Sequence, residues 1–300
     1  MAASGAEDQR RAGFKECETI RLERFETVGE YLVRVGTFLS EREAEHNLIL
    51  GICTHLEVAR ELFEGPPDLI VAIGGFRVVA TAVRTPPFNI VLSEVDDPAA
   101  LEALAEAFTT GEVAGLTGPA DHAATFSELW SERTGRGHRL TMNERIHRLT
   151  AVVRPAQVRG VLRAAMRTDR DVLAAWLRAF ESEAFGKEVP ADAPSTVDRW
   201  LSGRGRTMYV WDDGGPVSMC GVGGTTPHGS RIGPVYTPRE LRNQGYVTAA
   251  VAGVSQAQLD TGRRYCFLFT DLANPTSNHI YASVGYEPVR DISMYSFERG

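Results

Sequence analysis

Arg242-Asn243-Gln244-Gly245-Tyr246-Val247-Thr248 stands between an apolar run ending in Val235-Tyr236-Thr237-Pro238 and the alanine-rich stretch AAVAGVSQAQL. A strand that passes its chain through a glycine turn into a helix leaves the first N–H groups of that helix unpaired, at the positive end of its dipole. Glycine allows the turn without a Cβ clash. Such a junction is an anion cradle, most often for phosphate. Further along, the segment TDLANPTSNHIYASVGYEPV sets Asn274 seven positions before Tyr281, with Gly285-Tyr286 following. No G-x-S-x-G elbow and no P-loop lysine occurs, which argues against a hydrolase or a nucleotide kinase. His46, His122, His138 and His147 lack metal-ligand spacing, and Cys17, Cys53, Cys220 and Cys266 form no C-x-x-C pair. Neither a metal site nor a disulfide framework is therefore expected.

The elements that must hold these residues follow from periodicity. In the first half a helical tract at 41–63 precedes two alternating runs, DLIVAIGG and FRVVATAVRT, joined at Gly74 and Gly75 as a hairpin. A helix (DDPAALEALAEAFTTG), a strand (EVAGLTG), a helix (ADHAATFSELWSERTG) and a β-rich end (HRLTMNERIHRLTAVV) come next. The second half repeats the order. Helices at 169–185 and 195–203 lead to TMYVWDD and PVSMCGVGG around Gly214 and Gly215, then SRIGPVYT. A helix at 243–262, the strand RYCFLFTD, a helix at 275–283 and the strands YEPVR and SMYSFE complete it. This is an internal duplication of architecture, with a linker at Arg154-Pro155.

Length and composition agree with two soluble domains. The chain has 300 residues, 43% hydrophobic and 24% charged, with no apolar run long enough for a membrane span. The first residues, MAASGAEDQRRAG, are polar and read as a disordered tail over 1–18, which places the protein in the cytoplasm without a membrane. Of its 32 basic residues only Lys15 and Lys187 are lysines, and the formal net charge is −7. With no basic block, nucleic acid is not an expected partner. The first 150 residues hold 24 acidic and 15 basic side chains, the remainder 15 and 17, so an anionic ligand fits the second half better.

The pairing of the two motifs resembles the GCN5-related N-acetyltransferase (GNAT) superfamily, whose [QR]-x-x-G-x-[GA] segment binds the acyl-CoA pyrophosphate. Here Arg242, Gly245 and Val247 match it, with Val247 departing from the usual glycine or alanine. The companion pattern N-x-x-[AS]-x-x-x-Y-x-x-x-G-[FY] is met in full by Asn274, Ser277, Tyr281, Gly285 and Tyr286. The resemblance implies an α/β (α+β) fold of two GNAT-like domains, each a mixed, mostly antiparallel twisted sheet flanked by helices. A degenerate copy would span 19–153, and a catalytic domain binding acetyl-CoA 154–300. The first copy lacks the cradle motif, so one acetyl-CoA site and no metal is implied, with the first domain walling the acceptor cleft.

The resemblance further implies that the backbone of Val235, Tyr236 and Thr237 pairs with the pantetheine like an added strand. The N–H groups of Asn243, Gln244, Gly245, Tyr246, Val247 and Thr248 would hold the pyrophosphate. Arg242 would be a cation beside it, or else a surface ion pair. Asn274 would lie near the cofactor, or else cap a helix before Pro275. Tyr281 would protonate the CoA thiolate as general acid, or else be an aromatic on an amphipathic helix. Candidates for the base are Glu181, Glu183, His228 and Asp271, each of which could equally be a solvated polar group. The expected activity is transfer of acetyl from acetyl-CoA to a primary amine of a small molecule or peptide, with a catalytically silent acyl-CoA-binding or regulatory module as the alternative. A partner-binding protein keeping only the fold is a third. The acidic first half hints at a cationic acceptor, and oligomeric state is left open.

Overall fold

The computed structural model describes residues 19–58, 63, 65–186 and 192–298; the expected tail over 1–18, Cys17, Lys15 and Lys187 lie outside them. The first repeat runs β1 (Ile20–Phe25), α1 (Val28–Glu41), α2 (Asn47–Val58), β2 (Asp68–Gly74), β3 (Arg77–Arg84), β4 (Ile90–Leu92), α3 (Ala99–Ala107), β5 (Gly115–Pro119), α4 (Ala120–Thr134) and β6 (His138–Leu149). The second runs β7 (Val161–Ala164), α5 (Arg170–Phe185), α6 (Ala193–Leu201), β8 (Arg206–Asp212), β9 (Pro216–Gly223), β10 (Gly229–Tyr236), α7 (Tyr246–Asp260), β11 (Tyr265–Asp271), α8 (Pro275–Val284) and β12 (Glu287–Phe297). The two lists match element for element.

Among the described residues all the strands join one 12-stranded sheet in the order β1-β2-β3-β4-β5-β12-β6-β11-β10-β9-β8-β7. The repeats have therefore exchanged their last strands. β6 pairs antiparallel with β11, placing Glu144 opposite Asp271, while β12 pairs with β5, placing Ile292 opposite Pro119. β6 and β12 pair with each other at the centre over ten registered positions. The two sheets expected from sequence are thereby fused, and YEPVR and SMYSFE are a single strand with a register shift between Pro288 and Arg290.

Strand alternation sends successive side chains to opposite faces. Leu69, Val71 and Ile73 of β2 pack under α1 and α2, whereas Ile70 and Ala72 face α3 and α4. In the second repeat Met208, Val210 and Met219 meet α5 and α6, and Cys220, Cys266 and Leu268 meet α7 and α8. Carried across the sheet by its register, α1, α2, α5 and α6 share one face. The first repeat touches the second there: Thr54 Oγ1 donates to the carbonyl of Thr225 at 2.9 Å. Cys53, Cys220 and Cys266 are buried free thiols.

Candidate functional site

The cleft begins with a wedge. β10 and β11 run parallel but pair only over Gly229–Arg231 and Tyr265–Phe267, after which β10 bends at a register shift between Ile232 and Val235. Gly221 on β9 makes room for that bend, because a Cβ there would lie 2.7 Å from the carbonyl oxygen of Gly233. Beyond it Val235 and Tyr236 still pair with Cys220 and Met219 of β9, which leaves their other edge turned to the wedge. A free edge of this kind accepts an extended amide chain as an added strand.

At the open end of the wedge the chain turns into α7. Asn243 (φ 64°) and Gly245 (φ 80°) are left-handed, and Gly245 occupies the N-cap without any side-chain cap. Ala249 N donates to Gly245 O at 3.0 Å as the first bond of the ladder, so the N–H groups of Tyr246, Val247 and Thr248 precede it. Tyr246 pins the turn by donating from Oη to Asp213 Oδ2 at 2.8 Å. Val247 packs against the core beneath α7, which turns its branched side chain inward and leaves its N–H to the cradle. These residues fit a pyrophosphate: the N–H groups are uncapped and the approach is open.

One cavity of about 530 Å³ joins the parts, lined by Val235, Tyr236, Thr237, Arg242, Gly245 and Tyr281 among others. A second, of about 490 Å³, continues it past Thr248 and Pro275. Asn274 and Ser277 also line the first, and Asn274 caps α8 by accepting from Ser277 N at 3.1 Å. Gln244 is exposed on the turn, outside both linings. Tyr281 lies half-buried against Tyr286, ring to ring at 6.1 Å and edge-on. Burial, and next the neighbouring Cys220, push its phenol well above the usual range, so it keeps its proton.

No family model and no curated protein matches the chain. Among solved structures, a tandem GNAT protein from the clavulanic acid biosynthesis pathway aligns over 93% of this chain and 98% of its own, with TM-score 0.55 and 16% identity. The fold is that of the GNAT acetyltransferases. A GNAT-family acetyltransferase from Colwellia psychrerythraea covers 93% of this chain and 100% of its own at TM-score 0.52 and 11% identity. A Drosophila protein reaches TM-score 0.66 over 92% and 98% of the two chains at 9% identity.

Within this GNAT fold the expected bases fare differently. Glu183 lines the cavity but is held by Arg242 Nη2 at 2.8 Å and Arg239 Nε at 3.2 Å, and it accepts from Tyr236 Oη at 3.3 Å. Burial alone would raise its carboxyl, but the two guanidiniums outweigh that and lower it, which makes it a poor base. Arg242 is tethered in turn, donating from Nε to Thr237 O at 2.9 Å. Glu181 is half-buried on α5, outside the cavity lining. His228 is engaged elsewhere, donating from Nδ1 to Glu43 Oε2 at 2.7 Å across the repeat boundary. Asp271 does line the cavity.

Sequence reasoning missed Glu144. It sits on β6 in the first repeat, inside HRLTMNERIHRL, where alternation sets it in phase with Leu140, Met142 and Ile146, and a lone carboxylate on that apolar face was the signal that could have found it. Strand exchange alone brings it to this cavity. Arg231 of β10 lies outside the cavity lining; burial, and next the nearby Arg206, lower its guanidinium to about 9. Among the described residues no helix is long and apolar enough to cross a membrane, and no group of three His, Cys, Asp or Glu could hold a metal ion.

Proposed function

We propose that this protein is an N-acetyltransferase that moves an acetyl group from acetyl-CoA directly to a primary amine of a small molecule or peptide, with Tyr281 as general acid. The observation that carries the reading is the continuity of one cavity from the uncapped N-terminus of α7, along the free edge of β10, to the protonated phenol of Tyr281. On this reading the edge at Val235–Thr237 aligns the donor, and a backbone N–H near Tyr236 polarises the thioester carbonyl. The cradle fixes the phosphates, and Tyr281 gives its proton to the departing sulfur.

The division of labour between residues 19–153 and 154–300 is part of the same proposal. In the first repeat the place after β4 is taken by Glu94, which pairs with Arg290 of the exchanged β12 at 2.7 Å. The α3 N-terminus is already capped, Ala99 N donating to Asp97 Oδ1 at 3.0 Å. Carboxylates stand where phosphates would need donors, which supports a single donor site in the second repeat.

Calorimetric titration with acetyl-CoA tests the reading, run beside Gly245→Asp. The φ of 80° disfavours any side chain, and a Cβ there would meet Val158 Cγ2 at 2.9 Å, with a carboxylate added to an anion cradle. The wild-type protein is expected to bind saturably and the variant to lose at least about 100-fold in affinity, as repelling the anion from a helix N-terminus implies. A folded wild-type protein that does not bind would sink the assignment.

A further inference from the structure

The cleft holds an ionisable side chain to which the reading above gives no task. Glu144 enters it from β6, so the first repeat contributes a wall residue to the second repeat's site. Its cross-strand partner on β11 is Asp271, and cross-strand partners share a face of the sheet. Both line the cavity that Tyr281 lines from α8. Asp271 is turned in part to its own loop, accepting from Ala273 N at 2.8 Å.

The surroundings of Glu144 are mixed. From β12 it faces the apolar Ile292, and on α5 the cleft's Glu183 is occupied by Arg239 and Arg242. From β10 comes Arg231, whose guanidinium lies 5.7 Å from the Phe269 ring. Burial first, and the negative charge of Asp271 second, outweigh Arg231 and push the Glu144 carboxyl up to about 7. A base poised near the working pH takes a proton most effectively.

Resting on the transferase reading, we propose that Glu144, delivered by the exchanged strand, is the general base that deprotonates the acceptor, and that Asp271 is a positioning residue that tunes it. An acceptor arrives as an ammonium ion and gives one proton to Glu144. The freed nitrogen lone pair forms the N–C bond at the thioester carbonyl, and the C–S bond breaks as the tetrahedral adduct collapses. Tyr281 donates its proton to the sulfur and recovers one from the acylated nitrogen. Glu144 then releases its proton to solvent, leaving a neutral amide and the free thiol.

The test uses the full chain, acetyl-CoA, and a probe panel of 1,4-diaminobutane, spermidine and the free amino acid lysine, read by thiol release across pH. The wild-type rate is expected to rise through a limb near pH 7. Glu144→Gln should keep its acetyl-CoA affinity yet fall on the order of 100-fold at neutral pH, the typical worth of a general base. Its limb should give way to a steady alkaline rise as free amine becomes available. Asp271→Asn should move the limb to lower pH by removing a like charge. A Glu144→Gln protein with an unchanged limb, or a limb that stays in place in Asp271→Asn, overturns the proposal. Should no probe turn over, a ¹³C NMR titration of Glu144 decides. An elevated value that falls in Asp271→Asn supports the assignment, and an ordinary carboxylate value overturns it. Failure of the wild-type protein to bind acetyl-CoA is the separate result that brings down the transferase reading.

Discussion

Tyr281 and Glu144 face one cavity from opposite repeats; the environment of Tyr281 keeps its proton in place, and that of Glu144 raises its carboxyl so that it exchanges a proton near neutral pH. The phenol is raised by burial and then by Cys220, and so keeps its proton for the leaving thiolate. Tyr281→Phe is expected to lower kcat by about 10² to 10⁴, the range for a lost general acid, while calorimetry finds the acetyl-CoA Kd unchanged. The raised carboxyl of Glu144 also has a thermodynamic signature. A carboxyl whose folded value lies above its unfolded one adds stability at low pH, and that contribution is lost as pH rises from about 4.5 through about 7. Glu144→Gln should remove this slope. Urea unfolding at alkaline pH should then find the variant more stable than the wild-type protein, by on the order of 2 kcal/mol. Such a gain on losing a site residue is what a group held charged in a half-buried cleft produces.

At the scale of elements, the wedge depends on a close approach between two backbones. Gly221→Ala would press a methyl against the Gly233 carbonyl and Pro234 Cδ, both within 3.0 Å. The expected cost is about 1–3 kcal/mol in unfolding, together with weaker acetyl-CoA binding as β10 is pushed into the wedge. The turn into α7 and the start of α8 were legible in the sequence, whereas the approach of Gly221 to Gly233 was not. Glycine at a strand-to-helix junction, alanines at the close-packed face of α7 and the Asn-Pro start of α8 each have one local meaning. The edge strands β1 and β7, the three-residue β4 and helix α1 went unread. Strand β12 read as two pieces because its register shift breaks the alternation between Pro288 and Arg290. Glu144 could be read only in part, as a lone carboxylate in phase with Leu140, Met142 and Ile146. Alternation encodes which face a residue takes, and nothing in HRLTMNERIHRL says which neighbour its strand will join.

For the molecule as a whole, the exchanged strands make the repeats interdependent. β6 supplies a carboxylate to the second repeat's cleft, and β12 brings Arg290 to Glu94 in the first. Glu43, buried between the repeats, accepts from Thr226 Oγ1, His228 N and His228 Nδ1, and clasps the loop before β10 to the first repeat. Polypeptides covering 19–153 and 154–298 are therefore expected to fail as separate monomers and to purify together as a one-to-one complex when co-expressed, as size-exclusion chromatography would report. The exchange also sets an order of events during translation. When residue 149 leaves the ribosome, β5 has an open edge and β6 has no β11 to join. Both wait while more than a hundred further residues are made, and the gap beside β5 closes only when 287–297 emerge. A stop codon just before residue 287 would thus undo the half of the protein synthesised first.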